Sequence, residues 1–396
     1  MPAMLMLRFA LMLVSAGSLC VPGLAQQVWE MQESGTTAGL RGIDSVDGSV
    51  AWASGTGGTV LRTVDGGAHW TQCAVPDGDK DGATLDFRGV QAWDAMTAIV
   101  MASGPGDKSR LYKTVDGCKT WVLILKNPDS PDGFFDGFWL NAIYGEGMVL
   151  GDPVKGKFKI LTTEDGGVTW KPDDAKSLQL HGELLAAFAA SNSSIGKASR
   201  GEGDSRGPGT EYFNGFVGGG KGGAFLIERW EGRPRTKARF SQGRFASNFL
   251  TPDWNRRVLP LASGVDSAGA FAVALRYTGS PCEDCGFGMY WHMVVVGGDY
   301  AKPNETAGTA AASSTDGGWT WAAATTPPHG YRSTVQWSES LKVWITAGTN
   351  GSDISRDDGK TWRALDDGNW NALSLPFVVG PKGRIARLNP GALPKP

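Results

Sequence analysis

Arg41, Arg88 and Arg332 each stand second in a related four-residue stretch: LRGI at 40–43, FRGV at 87–90 and YRST at 331–334. Guanidinium groups gathered at one place bind carboxylate or phosphate through a planar fork of donors, so such a cluster would take an anionic ligand or an acidic protein surface. Four further stretches, LNAI, LAAF, AFAV and WNAL, put Asn141, Ala186, Phe271 and Asn371 at the same place. Asp152 in LGDPV and Asp299 in VGGDY each follow an apolar run and are expected on the same face. They would serve there as ligand contacts, as turn caps or as salt-bridge partners of the arginines. The competing reading of the arginines, as ion pairs that only stabilise nearby loops, carries equal weight.

A second set of residues recurs more strictly. TVDGGAHW at 63–70 returns as TVDGCKTW, TEDGGVTW, STDGGWTW and SRDDGKTW, with aspartates at 65, 116, 165, 316 and 357 and tryptophans at 70, 121, 170, 321 and 362. Asp65, Asp116, Asp165, Asp316 and Asp357 are read as turn formers, because a carboxylate can accept backbone N–H groups within a turn and glycine adopts positive φ at little cost. Trp70, Trp121, Trp170, Trp321 and Trp362 then begin an outer strand and tuck between neighbouring elements. Full burial of such a ring contributes at most about 4–6 kcal/mol. No chemistry calls for five identical catalytic aspartates on five separated corners.

The aspartates are 51, 49, 151 and 41 residues apart, the third interval being close to three ordinary periods. Between boxes the text divides into short alternating runs. RGIDSV, VAWAS, TVLRTV and HWTQC are separated by turn residues, and the next unit divides in the same way. Four antiparallel strands every 40–50 residues describe a blade, and the first-strand stretches number seven. The last unit lacks a fourth strand, whereas VWEMQES near the start has no partner. It is expected to complete the seventh blade and so remove an exposed sheet edge. The sequence therefore predicts an all-β chain: one seven-bladed β-propeller over residues 26–390 with four-stranded antiparallel blades and a tail at 391–396. A Ser/Gly-rich stretch at 191–210 reads as a flexible insertion in blade four.

Composition agrees: glycine (57 residues) and tryptophan (16) are abundant in a chain of 396. A net charge of −2 gives no field to gather nucleic acid, and none is expected as a partner. Residues 1–25 read as a secretory signal, with Arg8, the apolar FALMLVSAG and a small-residue GLA before Gln26. Leu19 precedes Cys20 where a lipoprotein signal wants a small residue. No later segment is apolar enough to span a membrane. A soluble periplasmic or secreted monomer is expected. Four cysteines remain, Cys73, Cys118, Cys282 and Cys285, which allow three connectivities. Cys282 could pair with Cys285 as a tight staple and Cys73 with Cys118. A zinc or thioredoxin-like role for that CxxC lacks a second CxxC and a βαβ context.

The eight-residue units are Asp boxes. Combined with the RGI strand, over 40–70 and on through GYRSTVQW and VVVGGDYAKPNETAG, the chain resembles the photosystem II stability/assembly factor family and its exported bacterial relatives. That resemblance implies a seven-bladed propeller that binds a partner protein during assembly and has no cofactor of its own. Sialidases, xyloglucanases and sortilin-like receptors also carry the box, so a sialidase-like glycoside hydrolase is the alternative, with Arg41, Arg88 and Arg332 as its arginine triad. Against it, Arg41 is followed by Gly42 and Ile43, where that family has Arg-Ile-Pro, and no Tyr/Glu nucleophile pair can be placed. GFVGGGKG at 215–222 lacks the Ser/Thr of a phosphate loop, GDSRG around Ser205 has no strand before it, and the four histidines show no metal spacing. The expectation is a non-catalytic scaffold, without metal or cofactor, that meets a protein or an anionic ligand at the arginine-bearing mouth.

Overall fold

The computed structural model describes residues 27–141, 144–200, 211–231, 253–278, 291–306 and 309–395. They form seven four-stranded antiparallel sheets, each with its strands in sequence order except one. In that one Ala372–Ser374, Phe377–Val379 and Ile385–Leu388 are joined by the N-terminal strand Trp29–Gln32, which pairs with Ile385–Leu388 in register Trp29↔Leu388. The ring is thus closed by both ends of the chain.

The inner strands of blades one to seven are Leu40–Ser45, Phe87–Ala92, Phe135–Leu140, Ile195–Arg200, Ala268–Tyr277, Thr334–Ser338 and Ala372–Ser374. Two differ from the sequence alignment. Blade three starts its inner strand at Phe135, so LNAI at 140–143 marks its end. Blade four starts at Ile195, ten residues after the first residue of LAAF, Leu185. Residues 191–200 therefore belong to the ring, and the remainder of the expected insertion, 201–210, lies outside the described residues. The second strands are almost wholly buried, as in Ala51–Gly55, Ala98–Ala102 and Val343–Gly348, because each is flanked by the first and third strands of its own blade and faced by both neighbouring blades. Apolar side chains accordingly cluster between blades: Trp52 and Val60 of blade one pack with Phe87, Val90, Val100 and Tyr112 of blade two.

The five boxes share one geometry. The hydroxyl of Thr63, Thr114, Thr163, Ser314 or Ser355 donates to the box aspartate at 2.8–2.9 Å. It also accepts the N–H of Gly67, Cys118, Gly167, Gly318 or Gly359. The aspartate in turn accepts the N–H of His69, Thr120, Thr169, Thr320 or Thr361. The hydroxyls of Thr120 and Thr169 also donate to Asp116 and Asp165, and these hydrogen bonds, with those from His69 to Asp65, hold the carboxyls of Asp65, Asp116 and Asp165 at about 2. The turn needs two successive left-handed residues, at φ +73° and +88° in Gly66 and Gly67, which is why most boxes carry Gly-Gly. The tryptophans are less buried than expected: Trp362 is 5 % exposed, whereas Trp70, Trp121, Trp170 and Trp321 are half-buried.

Cys118 takes the second left-handed position at φ +66° and is bonded to Cys73 of blade one, across a separation of 45 residues. Cys282 and Cys285 lie outside the described residues.

Candidate functional site at the axial mouth

Strand pairing gives the true equivalences around the axis. Leu40, Phe87 and Phe135 face the last paired residues of their second strands, Ala270 faces Gly297 two residues before the end of its pairing, and each is followed by a one-residue bulge: Arg41, Arg88, Asp136 and Phe271. In blades six and seven Ser333 and Asn371 precede the first paired residues, Thr334 and Ala372. Hence Arg41, Arg88, Phe271 and Asn371 share one ring, as expected, but Asn141, Ala186 and Arg332 do not belong to it. The shift in blade three follows from a bulged FDG that repeats FRG; the same signal, read along 135–137, points to Asp136.

Blade four replaces the single bulged residue by residues 188–193, and these run across the axis. The Oγ of Ser191 donates to the Ser333 carbonyl at 2.7 Å in blade six, and Asn192 Oδ1 accepts the Phe138 N–H at 2.8 Å in blade three. Val273 N–H of blade five donates to the Ser193 carbonyl at 3.0 Å. Arg88 of blade two reaches the Ala189 carbonyl at 3.4 Å. The Phe188 ring stacks on Phe271 at 4.0 Å. A segment of one blade that bonds to four others fills the channel beneath the mouth. The sequence reading of 191–210 as a flexible insertion covers only residues 191–193 of this segment, and it differs because serine and glycine mark loops without telling which side of the sheet they occupy.

Above this plug, Arg41 and Arg88 converge on Asp86. Arg88 Nε donates to it at 2.8 Å, while Arg41 stands 4.0 Å away. Arg41 is about a third exposed, and Arg88 lies over the Phe134 ring. Asp152 is at the same end, its Oδ1 accepting the Ala187 N–H at 3.1 Å; burial pushes its carboxyl up to about 6 against that hydrogen bond. Beside it Asp136 is 2 % exposed with Oδ2 unpartnered. Burial, then the neighbouring Asp152 charge, holds Asp136 well above the usual carboxylate range, with Arg88 opposing. Asp299 accepts the Ala301 N–H at 2.9 Å in a turn. Next to it the Tyr300 ring is half-exposed, edge-on to Phe271 and Phe188. Asn371 donates to the Leu40 carbonyl at 2.7 Å.

Arg332 is elsewhere. It is fully buried, donates to Asp353 at 2.6 Å and to the Tyr331 carbonyl at 2.7 Å, and lies beside His329. Its place in the fold corresponds to Leu40, whose side chain points into the ring of blades, so it cannot join Arg41 and Arg88 in a triad. Asn141 lies at the opposite end of the axis, just beyond Leu140, with its N–H on the Glu146 carbonyl. GFVGGGKG forms the end of a strand and a turn before Phe225–Glu231, and no helix follows to receive a phosphate. His69, His292 and His329 pair with Asp65, Asp358 and Asp353 respectively, and no group of three or more metal-ligating side chains forms among the described residues.

These observations define the class: a closed seven-bladed β-propeller with residues 188–193 laid across its axis. Among proteins of known identity, the chain is similar to the photosystem II assembly lipoprotein Ycf48 of Synechococcus sp. (strain CC9902), 23 % identical over 154 residues, 38 % of this chain. It spans 41 % of the length of that relative. Its fold is that of a solved structure of YCF48 bound to D1 peptide, with TM-score 0.54, 18 % identity and coverage of 93 % of this chain and 98 % of that one. YCF48 from Cyanidioschyzon merolae matches with TM-score 0.51 and 19 % identity over 92 % of this chain and 99 % of that one. No protein-family model matches the chain. The resemblance to the photosystem II assembly factors is thus carried by sequence over part of the chain and by fold over nearly all of it.

Proposed function

We propose that this chain is an exported, non-catalytic scaffold that holds a polypeptide segment of a partner protein across the mouth bearing Arg41 and Arg88. The observation that carries this reading is the plug. With the axis filled by residues 188–193, the mouth is a shallow platform of guanidinium, carboxylate and tyrosine groups, suited to a chain laid over it and not to enclosing a reacting bond. Two arginines sharing Asp86 leave donors for an acidic or C-terminal carboxylate, and Tyr300 adds an amphipathic ring of the kind that anchors interfaces. The solved YCF48 structure that shares this fold is a peptide complex, which supports a protein partner of the same kind. Export is supported by the reading of residues 1–25 as a signal and by the Cys73–Cys118 bond, which persists in oxidising compartments.

The test is co-purification from the native host with the wild type and with Arg41→Ala/Arg88→Ala, alongside a panel of aryl glycosides. A partner lost from the double variant, with unchanged thermal stability and no turnover by either protein, is the expected result. Glycoside turnover that the double variant abolishes would overturn the scaffold reading. Arg332 is left intact, since its substitution would strand Asp353 in the interior.

A further inference from the structure

His329, in the chain that enters blade six, has both ring nitrogens turned toward acceptors. Its Nε2 faces the Asn350 carbonyl at 2.9 Å, and its Nδ1 faces Asp353 Oδ1 at 2.7 Å. Carbonyl and carboxylate oxygens only accept, so each nitrogen needs its own proton to make these contacts attractive. The arrangement is that of an imidazolium. Its seat is close: a Cβ on Gly351 would stand 2.5 Å from Nε2, and Asn350 Nδ2 donates to the His329 carbonyl at 3.1 Å.

The charged groups around the ring are Asp353, Arg332, Asp367 and Asp366. Asp353, on strand Gly351–Ser355, has a side chain 2 % exposed and takes Arg332 on its other oxygen, with Nε at 2.6 Å and Nη2 at 2.5 Å. Arg332 Nη2 also lies 2.9 Å from His329 Nδ1, and its charge opposes the imidazolium. Asp367, exposed just beyond strand Arg363–Asp366, stands 3.6 Å from Nε2, while Asp366 pulls on Arg332. The hydrogen bond to Asp353 outweighs burial and the Arg332 charge, so His329 is held above the ordinary histidine range.

The proton holds a corner of the mouth. Gly330 follows at φ +153°, where a Cβ would strike the Pro303 carbonyl and the Asn350 amide. Next comes Tyr331, whose N–H donates to the Pro303 carbonyl at 2.9 Å, in the loop that carries Tyr300. The Tyr331 ring is buried edge-on to Phe271 at 4.8 Å, and Phe271 in turn meets Tyr300. Residues 329–331 therefore join the blade-six residues 350–353 to the aromatic side of the mouth. Without its proton, Nδ1 would set a lone pair against Asp353 Oδ1 and turn instead to Arg332 as an acceptor. Asp353 keeps Arg332 in that state, so the blade holds while the corner loses its tie.

We propose that His329 is a proton-operated latch, which fixes residues 329–331 and the Tyr300 side of the mouth when protonated and lets them loosen when the proton leaves. As a control on partner binding this rests on the scaffold reading; as a property of the fold it does not, and its test needs no partner. The sign follows from the raised value: the contribution of the latch is complete below about pH 6.5 and is lost as the pH rises through the folded value.

Hydrogen–deuterium exchange of the full chain at about pH 6 and about pH 9, corrected for the intrinsic pH dependence of exchange, reads the latch directly. Residues 299–305 and 329–333 should lose protection at the higher pH, by about tenfold for each unit by which the His329 pKa from an NMR titration exceeds 6.5. Strand Ala98–Ala102 of blade two should not change. His329→Gln, which stays neutral, should show the low protection at both pH values. Asp152 and Asp136 are also raised, and the same variant separates their effect from that of the latch. A His329 pKa at or below 6.5, protection that does not fall with pH in the wild type, or a fall that persists in His329→Gln would overturn the latch. If the variant fails to fold, the wild-type titration and exchange decide. None of these outcomes bears on whether Arg41→Ala/Arg88→Ala loses a partner, so the two proposals can fail separately.

Discussion

Asp136 is buried beside Asp152 with one oxygen unpartnered, and that decides how it should respond to pH. A carboxyl whose folded-state pKa lies above its unfolded value costs nothing while both states keep the proton, below about pH 3. It becomes destabilising as the pH rises from the unfolded value through the folded value. Asp136→Asn should therefore raise the thermal midpoint at pH 8 and leave it unchanged at about pH 3, measured by unfolding scans across that range. A variant less stable than wild type at pH 8 would mean that Asp136 is ionised and held by Arg88. The box aspartates behave oppositely. The carboxyls of Asp65, Asp116 and Asp165 are held at about 2 by hydrogen bonds, chiefly from His69, Thr120 and Thr169 respectively, so their contribution is present above the unfolded value and is lost only as the pH falls through about 2.

Two elements connect the blades by means other than sheet packing. The plug holds its shape through Asn192, which sits at φ +60° and accepts the Phe138 N–H from its side chain. Asn192→Ala should cost about 1–3 kcal/mol through the strained backbone and the buried N–H left behind, whereas Asn192→Gly should recover the backbone share alone. Denaturant titration of both variants reads the difference, and equal losses would show that the backbone conformation contributes nothing. The second element is the corner of blade two, bonded by Cys118 to Cys73. Closing a loop of 45 residues constrains the unfolded chain by about 4 kcal/mol in the entropic account. Urea unfolding with and without reductant should differ by a shift of that order. Because position 118 requires positive φ, Cys118→Gly should be less destabilising than Cys118→Ser by about 1 kcal/mol.

The whole ring depends on a strand from one end of the chain completing the blade from the other. Trp29 carries much of that closure: it is 4 % exposed, donates to Ser352 at 2.8 Å and packs against Trp370 at 6.1 Å. Trp29→Ala should cost about 3–5 kcal/mol, in the range for truncating a buried aromatic ring. Deleting residues 27–33 should do more, by exposing Ile385–Leu388 as an unpaired edge. The expected outcome is concentration-dependent association in size-exclusion chromatography; a deleted chain that stayed monomeric and equally stable would show that closure lies elsewhere.

Blade number, antiparallel order and the closing strand were legible in the residues, because each rests on local periodicity. Thr163 to Trp170 repeats Thr63 to Trp70, and VWEMQES lacked a neighbour until the last unit was seen to lack a strand. The mouth was legible only in part. Arg41 and Arg88 announce themselves through a shared RGI/RGV text, but Arg332 looked alike and is buried against Asp353, one residue out of register. A slip of one residue along a strand exchanges axis for interior and leaves the pattern of letters almost unchanged. The plug and the acid pair of Asp136 with Asp152 were invisible for a related reason. Each exists because segments distant in sequence meet across the axis or between blades, and the energy of such a meeting depends on burial and on which donors find acceptors, quantities that no linear spacing records.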